Sequence, residues 1–197
     1  MSQQFSSPRF AAQRKIDRLF FAVFPDALTA GRIENLAQRL RAQHGVTRRT
    51  LARNRFHISL YHVGDYVGIP QDVVATAGQA AATITMPAFQ VGLDSVLSFS
   101  GKTADNRPLV LRSSIDLAEL RVLQKTLRLA MEKVELRRED ERHDKSRFNP
   151  HLTLLYGDRH IEQTVDPITW TVREFVLVHS LVGRTRYVHL MRWPLRA

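Results

Sequence analysis

Two short segments of the chain each place a histidine two positions before a hydroxyl residue within an apolar run. The first segment pairs His57 with Ser59, and the second pairs His151 with Thr153. In an extended strand successive side chains point to opposite faces, so each imidazole shares a face with its hydroxyl while the aliphatic residues point the other way. The pattern therefore predicts two strands, each with one polar face and one core face.

The spacing of the two segments indicates that they work together. They are separated by about half the length of the chain, which suggests two similar lobes, each offering one such strand. Two imidazoles and two hydroxyls suit displacement at phosphorus: one imidazole takes a proton from the attacking oxygen, the other protonates the leaving oxygen, and the hydroxyls donate to the non-bridging oxygens. This scheme requires no metal and no cofactor.

The bulk composition favours a polyanionic partner. The chain has 197 residues, 44% of them hydrophobic, and a formal net charge of +10. That apolar fraction can fill a sizeable core, and a strongly basic surface attracts phosphate-bearing ligands. Net charge alone does not separate RNA, DNA and anionic lipid.

The absence of cysteine and of long apolar runs limits which other classes of protein the sequence fits. The sequence has no cysteine, which excludes disulfides and thiolate metal sites and fits a reducing compartment. No run approaches the roughly 18 apolar residues of a membrane helix, and the first residues lack a signal-peptide pattern. We therefore expect a cytoplasmic protein that does not bind membranes.

Periodicity predicts alternating strands and helices after a mobile basic tail over residues 1–14. Apolar runs and alternation predict strands, and spacing of three to four residues predicts helices. Asp26 is predicted to cap the first helix. The expected strands are 16–24, 88–97, 109–112, 168–178 and 187–193, besides the two histidine strands, and the expected helices are 27–42, 70–84 and one beginning at Asp116.

Three basic segments have open interpretations. The segment 47–55 leads into the first histidine strand, where it could guide a phosphate or form a solvated loop, and 137–147 is expected to be an exposed loop. Arg184 and Arg186 lie in the turn before the last strand. They could contact RNA backbone phosphates or form structural salt bridges.

The paired histidine segments, taken with Arg18–Val23, Gly183–Tyr187 and Arg192–Leu195, resemble the two-histidine (2H) phosphoesterase superfamily. The resemblance is closest to the bacterial RNA 2′,3′-cyclic phosphodiesterases, also called 2′-5′ RNA ligase-like proteins, and it spans roughly residues 15–196. It implies a single bilobal α+β domain over residues 15–197, with two pseudo-symmetric lobes, antiparallel sheets flanked by helices, and a central cleft.

The resemblance also implies an activity and roles. Such enzymes open a terminal RNA 2′,3′-cyclic phosphate to a 2′-phosphate without metal or nucleotide cofactor, with reversible 2′-5′ ligation as a related reaction. His57 would be the general acid and His151 the general base, while Ser59 and Thr153 would hold the phosphate oxygens. The implied partners are RNA ends, including tRNA fragments, and a monomer is expected. Tyr156 stands where close relatives often carry Arg.

Several alternatives remain open at this stage. Zinc would need a third ligand, and neither segment supplies HExxH or a carboxylate at ligand spacing. A non-catalytic RNA-end-binding protein would share the basic charge, although Arg would serve phosphate binding better than His. Another cyclic phosphate is a further possible substrate. The six other histidines are interpreted as structural or exposed: His44, His62, His143, His160, His179 and His189.

Overall fold

The computed structural model of the protein describes residues 16–101, 103, 106–136, 148–181 and 186–196. Within these ranges the chain forms eight strands and three α-helices. In order they are β1 (Asp17–Val23), α1 (Ala27–Gln43), β2 (Ile58–Tyr66), α2 (Gln71–Ala81), β3 (Phe89–Ser98), β4 (Arg107–Arg112), α3 (Ala118–Lys133), β5 (Leu152–Gly157), β6 (Glu162–Val172), β7 (Glu174–Leu181) and β8 (Arg186–Pro194).

The strands form one antiparallel sheet that divides into two halves. Its order is β6-β3-β4-β5-β2-β1-β7-β8, and β2 and β5 meet at the centre through the single pair Ile58 and Leu152. We call β2-β1-β7-β8 the His57 half and β6-β3-β4-β5 the His151 half. Each half carries its histidine segment on the inner edge strand, so the expected α+β fold with two similar lobes is confirmed.

All three helices pack on one face of this sheet. Their buried side chains join the main core, whereas a small second cluster of Phe20, Ala22, Val176 and Val178 lies on β1 and β7. The helices also cross between the halves: α1, which follows β1, contacts β5 and β6, and α3, which follows β4, contacts β2. Because all three helices lie on one face, the opposite face of the sheet is left open for the histidines.

Local sequence signals explain most of the elements. The Asp26 side chain accepts a hydrogen bond from the Thr29 amide at 2.8 Å, which satisfies an otherwise unpaired N–H in the first turn of α1. The apolar stripe of α1, including Ile33, Leu36 and Leu40, is buried as its spacing predicts. The predicted cap, the three helices and the hairpin of β3 and β4 are confirmed.

One predicted strand is wrong. The apolar run 168–178 is not a single strand, because β6 ends at Val172 and β7 begins at Glu174. The two strands lie on different halves of the sheet, β6 beside β3 and β7 beside β1. Only Arg173 separates them, and neither glycine nor proline marks the point where the chain changes partner.

Several predictions fall outside the described residues. They concern the basic tail over residues 1–14, the charged loop 137–147 and Arg184. Among the helices of the described ranges, none combines the length and the apolar character needed to cross a bilayer.

Candidate active site

The central strand pairing brings the two histidine segments onto one face of the sheet. Ile58 and Leu152 are direct partners and both are fully buried on the core side. In an antiparallel pair, partners point to the same face and their neighbours to the other. His57 and Ser59 therefore share the open face with His151 and Thr153, each histidine diagonal to the other and opposite the other segment's hydroxyl.

Each imidazole is oriented by a main-chain carbonyl two residues upstream. The Nδ1–H of His57 donates to the Arg55 oxygen at 2.7 Å, and that of His151 donates to the Asn149 oxygen at 2.8 Å. A bond at Nδ1 fixes the tautomer and leaves Nε2 as the nitrogen that exchanges protons with a ligand. The two histidines are thus held in equivalent positions by equivalent contacts.

The hydroxyls complete the polar face. The Ser59 Oγ lies 3.1 Å from His57 Nε2, so the hydroxyl donates to the neutral ring. Ser59 is exposed, and Thr153 is half-buried on the facing strand. Both side chains lie where an anion bound between the imidazoles could accept their hydrogen bonds.

His57 is surrounded by aromatic rings. Ring centroids of Phe20, Phe24 and Tyr187 lie 5.2, 5.8 and 5.4 Å from the His57 ring. Burial among these rings lowers the pKa of His57 from 6.5 to about 4, and the positive charges of Arg55, His151 and His189 act in the same direction. The free site therefore holds His57 neutral at neutral pH.

His151 has different neighbours. The Phe99 ring lies 4.9 Å away in an edge arrangement. Arg112 follows Leu111, the strand partner of Leu152, so Arg112 lies beside His151 on the open face. Phe99 also lines a polar cavity of about 290 Å³, together with Ser98, Ser100, Gly101, Thr103, Arg107 and His160.

Sequence reasoning missed His189, which belongs to the same face. Its ring lies 4.5 Å from Phe24, and Arg192 Nη2 donates to its Nδ1 at 2.7 Å. Arginine can only donate, so the neutral His189 ring carries its proton on Nε2. Burial and the charge of Arg192 lower the pKa of His189. The alternation of Tyr187 and His189 along β8 was the available signal.

The other predicted residues are placed as follows. Arg186 is exposed at the first position of β8, and alternation turns it to the face opposite Tyr187. Its contact with RNA stays a prediction. His179 is buried and paired: its Nε2 lies 2.6 Å from Asp17 Oδ1 in the interior. Among the described residues, no three His, Asp or Glu side chains converge as metal ligands would.

Solved structures share this fold. Escherichia coli LigT complexed with 3′-AMP matches at 26% identity and a TM-score of 0.67, covering 93% of this chain and 99% of that one. A structure described as a phosphoesterase matches at 26% identity and a TM-score of 0.69, covering 92% and 99%. The protein TT0787 of Thermus thermophilus shares the fold at 21% identity and a TM-score of 0.70, covering 91% and 98%.

The family assignment follows from a match over most of the chain. No protein of curated function matches the sequence significantly. The model of the 2′-5′ RNA ligase superfamily matches residues 25–184, a range that contains both histidine segments. The chain belongs to the 2′-5′ RNA ligase superfamily of two-histidine phosphoesterases.

Proposed function

We propose that the protein is an RNA 2′,3′-cyclic 3′-phosphodiesterase that hydrolyses a terminal cyclic phosphate to a 2′-phosphate. One observation carries the proposal: the Ile58–Leu152 pairing sets two imidazoles and two hydroxyls on a single open face. This set supplies both proton carriers and two donors for phosphate oxygens, with both imidazoles oriented by carbonyl contacts.

In the proposed reaction a water oxygen attacks phosphorus while His151 takes its proton. The bond from phosphorus to the 3′ oxygen breaks, and His57 gives that oxygen a proton, leaving a 3′-hydroxyl and a 2′-phosphomonoester. Ser59 and Thr153 donate to the non-bridging oxygens as negative charge builds there. If a 5′-hydroxyl replaces water, the same steps form a 2′-5′ linkage.

The substrate class agrees with the charge of the chain. A net charge of +10 favours an RNA end over an uncharged metabolite. We propose that the partners are RNA fragments ending in a 2′,3′-cyclic phosphate, including tRNA fragments, and that the protein acts as a cytoplasmic monomer.

The low pKa of His57 bears on which histidine is the acid. A ring with a pKa of about 4 carries almost no proton at neutral pH, so His57 becomes an efficient acid only once an anionic phosphate next to it raises that pKa. The reverse assignment, with His57 as base, requires no such shift. We therefore propose that His57 is the acid and that its pKa rises when the substrate binds.

The direct test is incubation with a short RNA ending in a 2′,3′-cyclic phosphate. We expect a product with a phosphatase-sensitive 2′-phosphate, identified by mass spectrometry, and unchanged turnover after exhaustive chelation. His44→Ala is a matched control, because His44 contacts Gln163 on β6, far along the sheet from β2. Binding without turnover would instead support an RNA-end-binding protein. Turnover restored only by added zinc would support a metal site.

A second experiment assigns the acid. In a substrate with sulfur in place of the 3′ oxygen, the thiolate leaves without a proton, so loss of the general acid costs little while loss of the base costs the same as before. His57→Ala is expected to regain most of its activity on this substrate, and His151→Ala is not. The opposite pattern would reverse the two roles.

A further inference from the structure

Arg55, in the turn before β2, is half-buried and has no anionic partner among the residues that the structure describes. Its guanidinium carbon lies 5.0 Å from the centroid of the Tyr187 ring, and its Nη2 donates to the Tyr187 hydroxyl at a long 3.5 Å. Its Nε is buried and makes no hydrogen bond to any described residue. None of the ion pairs formed among the described residues includes Arg55.

This arrangement is physically costly in the free protein. A guanidinium cannot lose its proton at any accessible pH, and a charge withdrawn from water is unfavourable unless it is paired. The nearby arginines are paired: Arg53 contacts Glu34 at 2.6 Å, and Arg18 contacts Asp65 at 2.6 Å. The Tyr187 ring offsets part of the cost for Arg55, but it leaves the Nε–H unsatisfied.

The position of Arg55 indicates which kind of ligand could pair with its guanidinium. Arg55 and His57 both contact the Tyr187 ring, and the Arg55 main-chain oxygen accepts the Nδ1–H of His57. The charge of Arg55 also lowers the pKa of His57, as expected for neighbouring cations. An anion bound at His57 would therefore lie beside a guanidinium that has an unused donor.

We infer that Arg55 binds the phosphate group at this site, with its side chain turning so that the Nε–H, which is buried in the free protein, and a terminal N–H donate to non-bridging oxygens. A guanidinium suits this task because its planar fork matches two phosphate oxygens. The identity of that group as the reacting cyclic phosphate rests on the proposed function. The binding of a phosphate anion rests on the contacts of Arg55 itself.

The first test uses the unmodified protein and inorganic phosphate. In a proton–nitrogen NMR titration, the Nε–H resonance of Arg55 is expected to move downfield and exchange more slowly with water as phosphate binds. The Nε–H of Arg53, which already donates to Glu34, is the internal control and should not move. An unmoved Arg55 resonance at saturating phosphate would overturn the inference.

The second test compares two substitutions in the same 3₁₀ turn, Arg53–Arg55. Arg55→Gln is expected to raise the phosphate Kd and lower kcat/KM by about ten- to a hundredfold, the usual loss for a hydrogen-bonded charged group. Arg53→Gln should change either value by no more than about twofold, because its ion pair is exposed. Arg55→Lys keeps the charge without the fork and should fall between them.

The outcomes separate this inference from the proposed function. Phosphate binding through Arg55 without hydrolysis of the cyclic phosphate would refute the function and keep the inference. Hydrolysis of the cyclic phosphate together with an unchanged phosphate Kd in Arg55→Gln would support the function and refute the inference. A dispersed proton–nitrogen NMR spectrum like that of the parent protein shows that Arg55→Gln is folded; if it does not fold, the titration of the unmodified protein decides.

Discussion

The His57 half and the His151 half present the same pair of side chains in different surroundings. Both imidazoles donate through Nδ1 to a carbonyl two residues upstream, at 2.7 and 2.8 Å. His57, however, is enclosed by three aromatic rings and faces Arg55, whereas His151 contacts Phe99 beside a polar cavity. Strand register thus gives the halves matched geometry, while their neighbours give them different electrostatics.

This difference suits a reaction that needs two unlike proton carriers. Two histidines in identical environments would titrate together, and the singly protonated form would not distinguish acid from base. A different environment around one ring creates that distinction, and in the free site the lowered pKa of His57 makes it the neutral ring. Substitution of the groups that both halves share should impair both histidines, whereas substitution of the neighbours of one histidine should affect that histidine alone.

The largest effect is expected from removing either imidazole. His57→Ala and His151→Ala should each lower kcat by about a hundredfold or more, because each loses a positioned acid or base. The double variant should lose much less than the product of the two single losses, because a site that lacks one proton carrier gains little from the other. Single-turnover assays on the cyclic RNA measure this, and near-parental turnover in either variant would contradict the mechanism.

The next effect concerns stability, and it follows from the lowered pKa of His57. The folded protein holds the pKa of His57 at about 4, below the 6.5 of the unfolded chain, so the unfolded state binds the proton more readily between these values. The free energy of unfolding should therefore fall as pH drops from 6.5 to 4, by on the order of 2 kcal/mol. Urea titrations at several pH values should show a smaller pH slope for His57→Gln. An unchanged slope would mean that the ring titrates near its ordinary pKa when folded.

A smaller loss is expected at the hydroxyls. Ser59→Ala and Thr153→Ala should each lower kcat/KM by about tenfold, because each removes one hydrogen bond to developing phosphate charge. Ser59→Thr and Thr153→Ser keep the hydroxyl and serve as matched controls. Steady-state kinetics on the cyclic RNA give the values, and equal losses in the control variants would point to packing instead of hydrogen bonding.

The subtlest change should come from opening the aromatic surroundings. Phe24→Ser admits water next to His57, so the pKa of His57 should rise from about 4 toward 6.5. The acidic limb of kcat/KM should move upward with it, since protonating both histidines inactivates the free enzyme. Phe99→Ser, in the other half, should leave the pKa of His57 unchanged. NMR titration of the imidazole protons measures both.

Much of this architecture was predictable because it depends on local rules. Alternation placed His57 with Ser59 and His151 with Thr153, and the repeat across the chain indicated two similar lobes. The apolar stripe of α1 and its Asp26 cap were equally local. What local rules do not give is which strands become neighbours, so the change of partner at Arg173 was hidden within one apolar run.

The electrostatics of the site also depended on distant residues. Tyr187 and His189 reach His57 only because β8 pairs with β7, and β7 with β1. Arg55 lies two residues before His57 in the sequence, but that its Nε finds no hydrogen-bond partner among the described residues appears only when its surroundings are known. Motif spacing therefore predicted the two candidate proton carriers, and tertiary structure was needed to find the groups that surround them.

The exchange of helices between the halves has a consequence for how the molecule unfolds. With only Ile58 and Leu152 joining β2 to β5, the halves could separate at the centre if each kept its own helix. Because α1 packs under β5 and β6 while α3 packs under β2, separation must strip both helices from the core. We therefore expect a single cooperative transition by calorimetry and no half that folds when expressed alone.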